Sequence, residues 1–508
     1  MKLAFALFLL TMAMEAQQYR AFWADAFHSG FKTPAEIELL LEDAKAARAN
    51  AVFVQMRRRG DGYFLRSLEP AASDPNYSPS FDALDYLCRR AHERGIEVHA
   101  WMVVLPSWRE NLGTPPDARH VWNAHGPKAR NRDMWMTVNN RGEVSYSVDP
   151  GHPEAARHVI DAVIEPVRQY PIDGVHLDYI RYPEYEGDWG RNPRALERFR
   201  TLYGRTGSPD AGDPQWNEFR RTQVTALMRQ IYIRAHAIRP NIKVSASVIT
   251  WGNGPADLAD FSHSRAFAQV HQDWPSWLAE GILDLAVPMN YFVENKTAAW
   301  LDRWLEFQKD NQAGRLILPG LGAYLNPVEQ TLAQARRALA PSAAGNRLPG
   351  FAFYSYAATN SASIPTIEFY RELSASFTDP GKVPPMPWLE KPVGATVYGW
   401  LTVNPETVAL ADGATVLIES AGSGQGPQVT TDGTGFFGAV GVAPGRYRVR
   451  VERGGREVFR TAAREVSAGE SALFHIFLQE ADFRRVAPTS AGSNRRGQAP
   501  LSRAPAAR

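Results

Sequence analysis

From Tyr19 to about Phe377 two rhythms of apolar and polar positions take turns along the chain. Short runs rich in Val, Ile, Phe and Tyr alternate side by side and predict strands; longer stretches with apolar residues three and four apart predict amphipathic helices. Strand-like runs lie at Arg20 to Phe27, Ala51 to Arg57, Ile96 to Val104, Gly174 to Tyr182, Lys243 to Ile249, Leu283 to Phe292, Leu316 to Leu325 and Gly350 to Tyr356. Helix-like stretches fall between them, at Thr33 to Ala49, Phe81 to Arg94, Pro153 to Gln169, Asn217 to Ile238, Arg265 to Glu280, Trp300 to Asn311 and Pro327 to Leu339. Thr33-Pro34-Ala35-Glu36 has the form of a capping box, and Gly95 and Gly281 stand where a helix stop belongs. Eight such units in succession predict an α/β fold, a (β/α)8 TIM barrel. A doubly wound open sheet would carry a Gly-rich phosphate turn after its first strand, and the chain has none there.

The rhythm changes further on. Pro384, Pro385, Pro387 and Pro392 mark residues 380–392 as a Pro-rich linker. Residues 393–480 lose the helical period and show short alternating runs between Gly and Pro turns: Val397 to Val403, Ala414 to Glu419, Gly435 to Val440, Tyr447 to Glu452 and Ala472 to Leu478. They predict a small all-β sandwich after the barrel. On this reading the barrel domain covers residues 17–379, and a chain ending near Phe377 should fold alone. Residues 1–16, with Lys2 ahead of the apolar run Leu3 to Met14, read as a secretory signal, so the protein is expected to be secreted or periplasmic. Residues 481–508 form a basic tail of disordered composition, rich in Ala, Pro, Ser and Arg.

A length of 508 residues requires more than one domain. The formal charge of +2 divides into +5 on the tail and −3 on the rest, which leaves no basic face for nucleic acid. The tail offers a contact to an anionic cell wall or surface. Cys88 is the only cysteine, so no intramolecular disulfide exists, and it reads as a core residue. No zinc spacing, His-Glu-x-x-His or nucleophile elbow occurs, and no cofactor is expected.

The chemistry concentrates at the strand ends. In Gly174-Val175-His176-Leu177-Asp178-Tyr179, Val175, Leu177 and Tyr179 share one face, expected to pack under a helix, while His176 and Asp178 share the other, with Asp178 at the C-terminal end where such barrels keep their chemistry. The plainer reading pairs Asp178 with Arg181. Inward candidates on the other strands are Trp23, Asp25, Gln55, Arg57, His99, Trp101, Ser245, Ser247 and Asn290. Polar groups from six strands are more than stability asks for, because buried polar groups cost free energy unless satisfied. Trp108, Trp122, Trp135, Trp189 and Trp251 follow these strands; singly they read as packing, together as a groove for sugar rings.

Arg20-Ala21-Phe22-Trp23, the run Phe53 to Asp61, Ala91 to Trp101, Asp173 to Pro183 and Leu283 to Tyr291 resemble, in order, the glycosyl-hydrolase-like 10 family. The resemblance spans residues 19–375 and implies a TIM-barrel glycosidase fold acting on bacterial glycans, peptidoglycan strands among them. Many members carry Asp-Asp where this chain has Asp178-Tyr179, so a second carboxylate must come from elsewhere. Thr431 to Phe437 and Ala443 to Tyr447 resemble carboxypeptidase-regulatory-like modules.

Glycoside hydrolysis calls for two carboxylates, or one plus an N-acetyl group on the substrate. Asp178 is the first candidate, as nucleophile or electrostatic stabiliser; Glu294 and Asp25 lead for its partner by position, ahead of Asp61 and Glu184. Arg57, His99, Trp101, His176, Arg181, Trp251, Asn290 and Tyr291 are the candidate substrate contacts. Arg57 and Arg181 suit a substrate carboxylate such as a lactyl group, or else pair with Asp61 and Asp178. The expected partner is a polysaccharide or oligosaccharide, and the expected state a monomer. Two other readings stand: a glycan-binding or cell-surface barrel without catalysis, and a metal-dependent hydrolase using His99, His176 and Asp178.

Overall fold

The computed structural model describes residues 17–379, 381–403 and 411–481, so the leader and the basic tail beyond Ala481 lie outside the described residues. Eight parallel strand positions close into a barrel: β1 (Tyr19–Ala24), β2 (Ala51–Arg57), β3 (Glu97–Val103), β4 (Gly174–Asp178), β5 (Lys243–Val248), β6 (Leu285–Asn290), β7 in two pieces (Leu316–Ile317 and Gly320–Gly322) and β8 (Gly350–Tyr354). They follow chain order around the wall, and β7 closes the circle by pairing with both β6 and β8. Each run with strand period became a barrel strand. Helices cover the outside, where Val52, Val54, Val98, Val175 and Leu177 pack beneath them. At the first helix, Pro34–Ala46, Thr33 caps the Glu36 N–H, while the Glu36 carboxylate turns back to the N–H groups of Gly30 and Lys32.

The barrel interior is filled by large side chains. Trp23, Phe53 and His176 touch ring to ring in its middle. Two glycines make room: a Cβ on Gly174 would lie 2.2 Å from the His99 ring, and one on Gly320 would lie 2.4 Å from Trp23. At the N-terminal end, Met386 joins the interior cluster with Tyr19, Ala51 and Leu285. Trp388 packs there too and donates to Asp284 at 2.7 Å. The Gln18 N–H donates to Lys382, and Arg20 donates to the Phe377 and Asp379 carbonyls. The Pro-rich stretch read as a linker is thus an ordered plug in the barrel floor. Its prolines end helices, but Met386 and Trp388 between them seek burial.

Beyond the plug, β9 (Ala395–Val403), β10 (Thr415–Ser420), β11 (Gln428–Thr430), β12 (Phe436–Val442), β13 (Gly445–Arg453), β14 (Arg456–Arg460), β15 (Arg464–Val466) and β16 (Ser471–Leu478) form two sheets. One orders as β12-β9-β16; the other holds the remaining strands. Val397, Val416, Ile418, Val449 and Val451 fill the space between them. Three short strands of this module went unread in the sequence: β11, β14 and β15 are three to five residues long and more than half polar. The module docks on the barrel's helices. Arg198 of the helix Pro193–Tyr203 forms a buried two-contact pair with Asp412, at 2.7 and 3.0 Å, and Gln230 of the helix Pro214–Ile238 donates to Thr434.

Candidate active site

The C-terminal mouth of the barrel is built around Asp178, which is 5% exposed at the end of β4. Its Oδ1 accepts the Tyr179 N–H at 2.7 Å and Arg181 Nη1 at 3.3 Å, and its Oδ2 accepts the Trp101 indole N–H at 3.2 Å. Burial lifts the Asp178 carboxyl above the ordinary aspartate value, and Arg181 only partly offsets the lift. The guanidinium of Arg181 is itself buried and lies 4.0 Å over the Tyr179 ring. Its Nη2 donates to Glu184 Oε2 at 3.2 Å. Asp178 and Glu184 therefore share one guanidinium, which bounds their nearest oxygens to at most about 9 Å apart. Glu184 keeps 40% of its side chain exposed.

Tyr179 stands where the resemblance leads one to look for a second acid. Its backbone is left-handed, with φ of 52°, and burial raises its phenol to about 12. Three more tyrosines face the same mouth. Tyr291 stacks on Tyr354 with centroids 5.4 Å apart, and Tyr324 meets both edge-on. Trp101 and Trp23 each meet the Tyr354 ring edge-on. Burial holds Tyr291 and Tyr354 above the usual phenol value, so they stand ready as O–H donors. Asp25 and Asp178 both act on Tyr354 by charge, which sets Asp25 on the rim. The Asp25 Oδ1 is already engaged by the N–H groups of Phe27 and His28 and by the His28 ring.

Several residues singled out from the sequence lie elsewhere. Arg57 does not reach the mouth. A bulge in β2 between Gln55 and Arg57 reverses the alternation, so Arg57 pairs in register with the outward Met102 and clamps Glu69 at 2.5 and 2.7 Å. Asn290 also faces out. Leu285 and Val287 hold the inward positions of β6, and Asn290 has the opposite parity; its amide exchanges two hydrogen bonds with Gln308 of the helix Glu294–Asp310. Glu294 is committed to the outer helix layer: Arg337 takes both oxygens at 2.6 and 2.7 Å, and these hydrogen bonds draw its carboxyl below the usual range.

His176 is a packing residue. Its Nε2 accepts the Trp23 indole N–H at 2.9 Å, which leaves the proton on Nδ1 to donate to the Ser245 hydroxyl. Burial, helped by His99, keeps it neutral. His99 is fully buried beside Glu97, deep in the barrel. With His176 and Asp178 so engaged, the three do not converge, and no metal-binding cluster occurs among the described residues. Trp251 lies under Arg265 at 4.7 Å. Trp108 and Trp189 are buried, with indole N–H groups spent on the carbonyls of Gly113 and Tyr185. The tyrosines, not this set of tryptophans, supply the aromatic lining. Tyr324 and Tyr354 were missed because each reads as packing; position after β7 and at the end of β8 was the available signal.

Comparison with known proteins agrees with this architecture. The family described as Glycosyl hydrolase-like 10 matches residues 20–325. The glycosyl hydrolase DigH of Escherichia coli K12 is 26% identical over 266 residues, 50% of this chain and 57% of DigH. The glycosyl hydrolase YngK of Bacillus subtilis is 26% identical over 297 residues, 56% of this chain and 54% of YngK. The chain thus spans a little over half the length of these curated relatives. Among solved structures, the glycoside hydrolase domain of PgaB (BpsB) from Bordetella bronchiseptica superposes with a TM-score of 0.50 at 16% identity, covering 70% of this chain and 98% of that one, a likeness of fold.

Proposed function

Since this chain belongs to the glycosyl hydrolase-like 10 family, we propose that it is a secreted glycoside hydrolase that cuts a bacterial glycan, with peptide-free peptidoglycan strands as the first substrate to try. The observation that carries the reading is Asp178: a buried carboxyl, raised by burial, among sugar-compatible rings at the open end of the barrel. A carboxyl whose value is raised by burial is suited to act as a general acid. Asp178 donates its proton to the glycosidic oxygen as the bond to the anomeric carbon breaks. Glu184, across Arg181, then serves as the base that takes a proton from the attacking water. Inverting enzymes hold their two carboxyls roughly 6.5–9.5 Å apart and retaining ones about 5–5.5 Å, and the upper bound set by one guanidinium admits both, so the inverting reading rests on the acid and base roles of Asp178 and Glu184. This takes Asp178 as the acid in place of the nucleophile or electrostatic stabiliser first considered, because burial moves its carboxyl towards the neutral form. Secretion rests on the leader read in residues 1–16, and attachment to an anionic wall on the +5 tail.

The rival reading, a glycan-binding barrel without catalysis, draws on one observation: Tyr179 replaces an acid that many members carry. The two separate in one assay. The full chain is incubated with a panel of glycans that includes peptide-free peptidoglycan strands, and the anomer of the first product is read by NMR. Cleavage with inversion is the expected outcome. Binding without cleavage of any glycan would favour the rival.

A further inference from the structure

The consecutive arginines Arg57, Arg58 and Arg59 have different fates. Arg57 is spent on Glu69, and Arg58 sits 3.6 Å from Asp74 and donates to the Ala26 carbonyl. Arg59 has neither kind of partner. Among the described residues no carboxylate lies within ion-pair distance of its side chain, and its Nε is buried without a hydrogen bond. The side chain is nonetheless fixed. Its guanidinium lies 5.2 Å over the Trp108 ring, and the backbone that carries it is anchored, its N–H donating to the Asp61 carboxylate and its carbonyl 3.0 Å from His120 Nε2. The next residue after Trp108 is Arg109, exposed and likewise without an ion pair among the described residues. β2, β3 and β4 are neighbours, so their following loops deliver Arg59, Arg109 and Arg181 to one arc of the mouth. Of the three, Arg181 alone has carboxylates within ion-pair distance among the described residues. Burial, then the charge of Arg58, lower the Arg59 value; Asp61 and Tyr63 partly offset them, and Arg109 adds a smaller push downward, so Arg109 stands within electrostatic reach of Arg59 as well as of Tyr179, beside Asp178.

We propose that Arg59 and Arg109 form an anion subsite that holds a carboxylate carried by a sugar of the glycan, beside the bond cut at Asp178. The inference rests on the mouth being a glycan-cleaving site and adds the substrate's charge. Two guanidinium forks match a planar carboxylate. Because Arg59 is held in place by Trp108, little ordering remains to be done on binding. Either a uronic acid or an O-lactyl ether would supply the carboxylate.

The test compares each acidic glycan with the same glycan after its carboxylates are reduced to alcohols. For the wild-type chain the acidic form should show a KM about tenfold lower, and this preference should weaken as salt rises from about 0.05 to about 0.5 M. Arg109→Gln, at an exposed position that the fold tolerates, should remove part of the preference; Arg59→Gln together with Arg109→Gln should remove it, through KM more than kcat. A uronate glycan and a lactyl-bearing strand run in parallel, and the one whose preference disappears in the double variant is the source. Equal KM for acidic and reduced forms of both glycans in the wild type, or a preference that survives the double substitution, overturns the subsite. If no glycan is cleaved, the hydrolase reading fails separately. Calorimetric binding of the acidic and reduced forms then decides the subsite by the same two outcomes.

Discussion

At the N-terminal end of the barrel, Glu97 accepts from Lys243 at 2.5 Å and from Tyr19 at 3.1 Å, with the His99 ring 3.2 Å away. Burial pushes its carboxyl up, but His99 and Lys243 outweigh burial and hold it at about 2. At the opposite end, Asp178 also has a cation, a backbone N–H and an indole N–H, yet burial wins and its carboxyl stands above the ordinary value. The floor is sealed by Met386 and Trp388, whereas the mouth is left open with Tyr179 and Tyr324 more than a third exposed. One wall of strands thus carries an end where the cations outweigh burial and an end where burial outweighs its cation. A carboxyl raised by burial at an open mouth is what a site for acid chemistry requires, and stability is made up elsewhere in the fold.

That contrast can be broken at several points. The largest effect should come from removing the floor. A chain ending at Phe377 loses Met386 and Trp388 and uncovers Arg198; its unfolding free energy should fall by about 5 kcal/mol or more, read by denaturant titration. This reverses the expectation that the barrel stands alone at that boundary. Glu97→Gln leaves Lys243 without its carboxylate and should cost about 2–3 kcal/mol in the same titration while kcat stays within twofold.

The third test uses pH. Asp149 is fully buried, takes N–H groups from Gly151 and Asn192, and burial raises its carboxyl to about 6. A raised value means that its contribution to stability is whole below the unfolded aspartate value and is lost as pH rises through about 6. The melting temperature of the wild type relative to Asp149→Asn should therefore drop between about pH 4 and about pH 6, be half lost at about pH 5, and level off above. A flat difference across that range would contradict the assignment. The smallest effect belongs to Glu294→Gln. Its partner is Arg337 on the outer layer, so it should cost about 1 kcal/mol or less and leave kcat within twofold. A large loss of kcat would return Glu294 to the mouth.

How much of this was legible depends on what each residue's position required. The eight barrel strands were readable because alternation of apolar residues survives wherever a strand has a core on one face. Asp178 was readable for the same reason: nothing interrupts the alternation from Gly174 to Asp178, whereas Tyr179, read with Val175 and Leu177 as packing, takes a left-handed backbone and turns to the mouth. Arg57 was not, because a one-residue bulge flips every later side chain and leaves no mark in the letters. Asn290 was within reach, since counting parity from Val287 turns it outward. Glu294 lies just past β6, and only the fold reveals that Arg337 on another helix claims it. The plug read as a linker because prolines outweighed Met386 and Trp388 in the local pattern. The rim tyrosines and Glu184 are loop or strand-end residues whose meeting at one mouth is a product of barrel closure, with no local period to announce it.

The most direct measurement is turnover by Asp178→Asn of a glycan that the wild-type chain cleaves. The substitution keeps the shape and one acceptor oxygen, turns the other oxygen into an NH2 group and removes the proton donor. The account predicts a kcat lower by about a thousandfold or more, with substrate binding retained. Turnover by Asp178→Asn close to that of the wild type would contradict it.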